Sequence, residues 1–96
     1  MIIEDAARDE LLAAAFWYDE QREGLGSVLL AVVDEALGRI EVAPQSFPRD
    51  TFDARARRTT LDRFPYAVIF LVHDEEVRVV AFAHAKRLPG YWGHRV

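Results

Sequence analysis

The longest apolar run of the chain is Phe64–Val72, in which Tyr66 carries the only polar group. A polar break at His73–Glu76 separates it from a second apolar run, Val77–Ala83, which only Arg78 interrupts. Val, Ile, Phe and Tyr favour a pleated, buried surface, and the break is where the chain can turn through water. The pattern predicts a β-hairpin at the centre of the fold.

Both faces of the first predicted strand are apolar. Side chains alternate between the faces of a strand. One face carries Phe64, Tyr66, Val68, Phe70 and Val72, and the other carries Pro65, Ala67, Ile69 and Leu71. We expect helices to cover the first face, because it has the larger side chains. We place Val80 and Phe82 of the last strand on the second face, beside Ala67, Ile69 and Leu71.

Two helical stripes precede the hairpin. The first consists of Ala7, Leu11, Ala14 and Tyr18, widened by Leu12 and Phe16, and predicts a helix from about Asp5 to about Arg22. The second consists of Leu25, Leu29, Val32, Ala36 and Ile40, and Pro44 closes it. The link Gly24–Gly26 is so short that the two helices must form an antiparallel hairpin.

A loop over Ala43–Asp53 follows, in which Phe47 and Phe52 are predicted to anchor a satellite of the core. Arg55–Asp62 then reads as an edge strand, whose arginines would prevent pairing with other chains. The predicted fold is α+β: a helical hairpin packed on one face of a small antiparallel sheet. The element order is helix, helix, strand, strand, strand.

Composition narrows the class of protein. Ninety-six residues, about half of them hydrophobic, are expected to form one soluble globular domain over residues 1–96. The absence of cysteine excludes disulfides, zinc-thiolate sites and thiol nucleophiles. No apolar run approaches the roughly 20 residues of a membrane helix, and no signal peptide is recognised. We expect a cytoplasmic protein without a membrane partner.

Charge is distributed unevenly along the chain. Residues 1–46 contain three arginines and ten acids, a net charge of −7. Residues 47–96 contain nine Lys and Arg, six acids and all three histidines, a net charge of +3 without the histidines. The basic half suits a phosphate backbone or an acidic protein segment, or is a solvated surface without a ligand. The histidines lack metal-ligand spacing, so no metal and no cofactor are expected.

The order of several motifs resembles the RelE/ParE superfamily of toxins from type II toxin–antitoxin pairs, and most closely its ParE-like or plasmid-stabilisation branch. The similar pieces are Trp17-Tyr18, Glu20-Gln21-Arg22, Gly24-Leu25-Gly26, Ala36-Leu37, Ile40, Pro44, Phe47-Pro48, Arg63-Phe64-Pro65-Tyr66, His84-Ala85-Lys86-Arg87, Pro89, Tyr91 and Trp92. The resemblance implies a helical hairpin on an antiparallel sheet, as the periodicity does.

Two features depart from that resemblance. The family usually begins with a longer strand, whereas only Met1–Ile3 precedes Glu4 here, so the leading strand is expected to be short or missing. The ribonuclease members carry an arginine after the strand tyrosine, where this chain has Ala67. A lost preorganised cation costs about 10²- to 10³-fold in rate, by analogy with an oxyanion donor. The resemblance therefore favours target binding over RNA cleavage.

Three functions remain open at this point. The resemblance implies either a ParE-like toxin that binds and inhibits DNA gyrase, a RelE-like ribosome-dependent messenger endoribonuclease, or an inactive relative that binds only its antitoxin. The expected target-binding residues are Arg63, Lys86, Arg87, Tyr91 and Trp92. The ribonuclease alternative would use His84, Lys86, Arg87 and Tyr91 for proton transfer and phosphate contact. Each has a structural alternative, in which His84 caps its strand, Lys86 and Arg87 are solvated, and Tyr91 and Trp92 pack the tail against the sheet or the helices.

The second face of the sheet is expected to lack a cover from its own chain. Its residues Ala67, Ile69, Leu71, Val80 and Phe82 are therefore the expected antitoxin contacts. The resemblance implies an antitoxin with a flexible segment that orders on binding, placing aliphatic side chains on this face and acids on the basic half. Without the antitoxin, we expect a homodimer or poor solubility.

Overall fold

The computed structural model describes residues 1–96 as two helices and a four-stranded sheet. In chain order the elements are β1 (Ile2–Ile3), α1 (Asp5–Gln21), α2 (Leu25–Val42), β2 (Arg57–Thr60), β3 (Tyr66–His73) and β4 (Glu76–His84), with 3₁₀ turns at Pro44–Ser46 and Gly93–Arg95. The predicted α+β class and both predicted helices are confirmed. Neither helix is long and apolar enough to cross a lipid bilayer.

The two helices approach most closely where Gly26 of α2 meets α1. A Cβ atom on Gly26 would collide with the carbonyl oxygen of Ala15. The amide of Gly26 donates a hydrogen bond of 2.7 Å to the Asp19 carboxylate, which fixes the crossing point. Gly24 begins α2 with φ of 88°, a conformation that glycine adopts without strain. The helical hairpin is thus defined by two glycines of its link.

The sheet has the strand order β1-β4-β3-β2. Strands β2, β3 and β4 are antiparallel, and β3 turns into β4 at Asp74, which has φ of 55°. Strand β1 pairs in parallel with only Arg78 and Val79 of β4. The leading strand is therefore short, as expected, but the prediction of a wholly antiparallel sheet is wrong at this edge. Both helices and strands β2 and β3 separate β1 from β4 along the chain, so no tight turn forces these two strands to be antiparallel.

One face of the sheet is covered by the helical hairpin of α1 and α2, and we call it the hairpin face. It holds the main core. Val68 and Phe70 are buried there, and Tyr66 and Val72 are partly buried beside them. The assignment of the larger β3 side chains to the helices is confirmed. The helices contribute a row of small and branched residues to this core: Ala7, Ala14, Ala15, Leu29, Val33, Ala36 and Ile40.

The second face of the sheet, which points away from the helices, is also buried. Ala67, Ile69 and Val80 lie in a second core with Ala56 and Trp92, and Leu71 is half-buried at its edge. The expectation that this face lacks a cover from its own chain is wrong. The C-terminal segment, residues 85–96, lies over the face and buries Trp92 to 2% exposure. An antitoxin contact with these residues stays a prediction, and it requires that the C-terminal segment move.

Phe82 lies on the hairpin face, so its predicted position beside Val80 is wrong. Ile69 pairs with Ala81, while Phe70 pairs with Val79, so Val80 is an extra residue in β4. Such a β-bulge shifts the alternation of every side chain after it. Val80 and Ala81 therefore both face the second core, and Phe82 returns to the helices.

Three apolar side chains that were predicted to be buried are exposed. Leu12 and Phe16 lie on the outer side of α1, because its contacts with the core use the other members of the predicted stripe, Ala7, Leu11, Ala14 and Tyr18, together with Ala15. Phe52 is also exposed in its loop. Phe47 is the one loop anchor that is confirmed: its ring packs edge-on against Phe70 at a centroid distance of 5.7 Å.

The two glycines inside α2 give a matched test of the helix crossing. Replacing Gly26 by Ala should lower the free energy of unfolding by about 1–3 kcal/mol, because the added methyl group overpacks the contact with Ala15. Replacing Gly38 by Ala should raise it by about 0.5–1 kcal/mol, because the space there is open and alanine is the better helix former. Urea unfolding measures both. Equal effects would contradict a close crossing at Gly26.

Trp92 tests the cover of the second face. Trp92→Ala should lower the free energy of unfolding by about 3–5 kcal/mol, because it empties the space over Ala67 and Ile69. Leu88→Ala, in the same segment but exposed, should change it by less than about 0.5 kcal/mol. A Trp92→Ala protein as stable as Leu88→Ala would show that the segment does not pack on the sheet in solution.

Candidate functional site

Three surface clefts meet where β4 ends. All three are lined by Tyr66 and His84, and Trp17 of α1 lines two of them. The first cleft has a volume of about 180 Å³. It continues over the second face of the sheet, between the C-terminal segment and the loop that contains Asp50 and Phe52. We call this region the end-of-sheet site, defined by Trp17, Tyr66, His84, Lys86, Arg87 and Tyr91. It contains all four residues of the predicted ribonuclease set.

His84 is held in place by two neighbours. Its ring stands edge-on to the Tyr66 ring at a centroid distance of 4.9 Å. The backbone amide of Lys86 donates a hydrogen bond of 3.0 Å to Nδ1 of His84. In the neutral imidazole this bond leaves the proton on Nε2. His84 therefore caps the turn after β4, as its structural alternative predicted, and also lines the clefts.

Arg87 and Tyr91 stack on each other at the rim of the site. The guanidinium carbon of Arg87 lies 3.8 Å from the centre of the Tyr91 ring. Such a cation–π contact contributes about 0.5–1 kcal/mol at an exposed position. Arg87 also approaches the carboxylate of Glu10 at 4.0 Å, while its own side chain stays half-exposed. The pair presents one flat cationic surface to solvent.

Glu10 of α1 holds this rim together. Its carboxylate accepts hydrogen bonds from the Tyr91 hydroxyl at 2.5 Å and from Arg95 Nη1 at 2.9 Å. It also accepts the amide of Phe82 at 3.2 Å, while Arg95 Nη1 donates to the carbonyl of Val80 at 3.0 Å. Beyond the short β1, this edge of β4 has no partner strand. Glu10 and Arg95 therefore supply the hydrogen bonds that a longer first strand would have made.

Burial raises the pKa of the Tyr91 phenol well above its usual value, and the hydrogen bond to Glu10 raises it further. Burial also raises the pKa of Tyr66. In Arg95, burial lowers the pKa, but the hydrogen bond to Glu10 and the charges of Glu10 and Tyr91 together outweigh it, so the pKa is raised as well. Arg95 Nε is buried without a hydrogen-bond partner. At neutral pH the phenols of Tyr66 and Tyr91 are thus protonated and Arg95 is charged.

The floor of the first cleft is apolar. Ala67 and Ile69 form it together with Trp92. Ala67 is the position at which the resemblance implied an arginine in ribonuclease members. On the far wall, Arg58 pairs with the buried Asp50 at 3.3 Å, and Asp50 also accepts the amides of Phe52 and Asp53. The two arginines that line this cleft, Arg58 and Arg87, each lie beside an acid, Asp50 and Glu10.

The structure gathers some predicted target-binding residues and separates others. Lys86, Arg87 and Tyr91 line the clefts, and Lys86 has no ion-pair partner. Trp92 is buried, so its predicted contact with a target is not available while the C-terminal segment covers the sheet. Arg63 lies in the turn before β3 with φ of 72° and lines none of the three clefts. Its proximity to Lys86 stays a prediction.

Sequence reasoning missed Glu10, Arg95 and Trp17 as members or supports of this site. Glu10 and Arg95 are 85 residues apart in the chain, and no local pattern connects them. Trp17 could have been found from the sequence, because it is a large aromatic residue that lies off the apolar stripe of α1. In the structure its side chain is 55% exposed. No group of three or more histidines or acids is placed to hold a metal ion.

Comparison with known proteins gives a match among solved structures. No protein-family model and no curated protein matches the chain. A solved structure described as the chromosomal ParDE TA system from P. aeruginosa contains a similar chain, with 21% sequence identity and a TM-score of 0.67. The alignment covers 90% of this chain and 97% of that chain. At this identity the match shows a shared fold, and it is the fold that the resemblance implied.

Tyr91→Phe tests the bond to Glu10. The variant should lose about 1–2 kcal/mol of unfolding free energy at neutral pH, because a hydrogen bond to a charged group is removed while Arg95 still holds Glu10. Because the pKa of Tyr91 is raised in the folded state, its phenol also stabilises the folded protein below pH about 10. This contribution to stability is lost as the pH rises above the pKa that Tyr91 has in the unfolded chain.

The variant should therefore lose stability less steeply than the wild type between pH about 10 and 12. Urea unfolding at a series of alkaline pH values measures this slope. Tyr66, whose pKa is also raised, contributes equally to both proteins and serves as the internal reference. Parallel curves for the two proteins would contradict a protonated Tyr91 bonded to Glu10.

Proposed function

We propose that this chain is the toxin of a type II toxin–antitoxin pair, ParE-like in mode, which binds and inhibits DNA gyrase and is neutralised by a cognate antitoxin. The proposal places the protein in the cytoplasm, where gyrase acts. It is supported by the fold shared with a chain of the ParDE TA system, and by the character of the end-of-sheet site.

The observation that carries the choice of binding over cleavage is the apolar floor of the first cleft. In-line cleavage of RNA requires cations aimed at the phosphorane. Here Ala67 and Ile69 line the cleft, and the charge of Arg58 is paired with the buried Asp50. Arg87 is stacked on Tyr91 and close to Glu10. Such a site offers aromatic and cationic surface for contact, but no preorganised charge for a transition state.

The exposed groups of the site suit a protein target. Trp17, Tyr66, Arg87 and Tyr91 are of the residue types that dominate binding energy at protein interfaces. Lys86 adds a cation without an internal partner, which favours an acidic patch on the target. The end-of-sheet site thus combines aromatic anchors with a basic rim, and it is the surface that we assign to the target.

Expression from a tightly controlled promoter tests the target. The wild type should reduce viable counts and induce the SOS response before protein synthesis falls. Purified protein should inhibit supercoiling by gyrase. A translation block that precedes any DNA damage would instead indicate the ribosome-dependent ribonuclease. Unchanged growth with a stably expressed protein would indicate the inactive relative.

Variants of the basic rim test the site itself. Lys86→Ala and Arg87→Ala should each weaken binding to gyrase by about tenfold, the effect of losing about 1.4 kcal/mol, and should therefore raise viable counts. Arg22→Ala removes an exposed arginine from the helical hairpin and is the matched control, expected to remain toxic. Circular dichroism must show that all three variants are folded. Full toxicity of both rim variants would exclude this surface as the target site.

A further inference from the structure

The outer face of α1 is apolar and has no cover. Leu12, Phe16 and Trp17 are exposed by 54%, 69% and 55%. Leu12 and Phe16 are four residues apart and lie on one face of α1, and Trp17 follows Phe16 about 100° further around the helix. Leu30 of α2, exposed by 39%, lies one turn after Gly26, where the two helices cross at Ala15. We call these four residues the outer patch. It lies outside the buried residues of both cores, and it shares Trp17 with the end-of-sheet site.

The outer patch is preorganised. The Trp17 ring stands edge-on to the Tyr18 ring at a centroid distance of 5.0 Å, and Tyr18 in turn packs on Phe64. An exposed tryptophan that is already fixed loses little rotamer freedom when it binds. Exposed apolar patches of several hundred Å² on small proteins generally mark interaction sites. The patch is built on two rigid helices, which suits a partner that is itself regular.

Acids without partners surround the patch. Asp9 and Glu20 lie on α1 before and after it, and Asp34 lies one turn beyond Leu30 on α2. None of these three has a cation within ion-pair distance, in contrast to Asp5, which pairs with Arg8. Asp19, Glu23 and Glu35 on the same hairpin have no ion-pair partner either. The patch is thus an apolar centre inside an uncompensated acidic rim.

This rim selects the occupant. In a symmetric pair of two copies the same patch faces itself, so Asp9, Glu20 and Asp34 would meet like charges. A cationic helix instead satisfies both parts of the surface, with aliphatic residues on the apolar centre and Lys or Arg against the rim. We propose that the outer patch is a docking site for a positively charged amphipathic helix of a different protein, which would pack beside α1 and α2 as a third helix.

A pair of synthetic peptides tests the proposal. Both are about 18 residues long, enough to form a helix, with leucines at helical spacing and either lysines or glutamates at the flanking positions. The lysine peptide should shift Trp17 emission to the blue and bind at least ten times more tightly than the glutamate peptide. The chain has two tryptophans, and Trp92 is buried, so the shift reports on Trp17. Binding should weaken as salt rises.

Two variants locate the contact. Phe16→Ser should weaken binding of the lysine peptide at least tenfold. Val42→Ser, which changes a still more exposed apolar residue at the far end of α2, should leave binding unchanged. The Asp9→Asn/Glu20→Gln double variant should bring the two peptides closer in affinity. Equal affinity of both peptides for the wild type, or equal effects of Phe16→Ser and Val42→Ser, would overturn the proposal.

Self-association is the competing outcome. Sedimentation should show a monomer at the concentrations of the peptide assay. A dimer that Phe16→Ser abolishes would assign the patch to a second copy and overturn the proposal. The inference does not rest on the toxin assignment, because the assay uses neither gyrase nor growth. Failure of either proposal therefore leaves the other intact.

Discussion

The carboxylate of Glu10 is the contact on which the second half of the structure depends. It accepts hydrogen bonds from Tyr91 and Arg95 of the C-terminal segment and from the amide of Phe82 in β4. One side chain of α1 thereby joins the helical layer, the sheet and the segment that closes the second face. A buried charge is stable only when it is fully paired and hydrogen-bonded, and these contacts meet that condition.

The need for this contact follows from the length of β1. Two residues of parallel pairing leave the outer edge of β4 unprotected beyond Val79. Open edges invite pairing with other chains, and folded proteins cover them with charged side chains or loops. Glu10 and Arg95 serve that purpose at Phe82 and Val80. The same two residues bring the C-terminal segment over the sheet, so edge protection and burial of the second face have one cause.

The two surfaces that we assign to partners differ in chemistry because the two halves of the chain differ in charge. The end-of-sheet site has a basic rim from Lys86 and Arg87, and the outer patch has an acidic rim from the helical hairpin. Aromatic residues connect them: Trp17 contacts Tyr18, and Tyr18 lies 6.5 Å from Tyr66, which packs on His84. Trp17 belongs to both surfaces. The two surfaces are thus connected to each other through packed aromatic rings.

The sequence by itself determined the helical hairpin, the central β-hairpin and the face of β3 that the helices cover. These features follow from local periodicity and from a short glycine link, which operate over few residues. The same reasoning placed His84, Lys86, Arg87 and Tyr91 together, because they follow one another at the end of a strand. The resemblance to RelE/ParE toxins added the overall architecture, which the solved structure with a TM-score of 0.67 supports.

Only the tertiary structure decided where Phe82 points, what covers Ile69 and which residue holds Tyr91. The bulge at Val80 reverses the alternation without any mark in the composition of β4. The cover of Ile69 by Trp92 and the bond between Glu10 and Arg95 connect parts of the chain far apart in sequence. Such contacts depend on how complete elements pack, and a pattern read along one element carries no information about them.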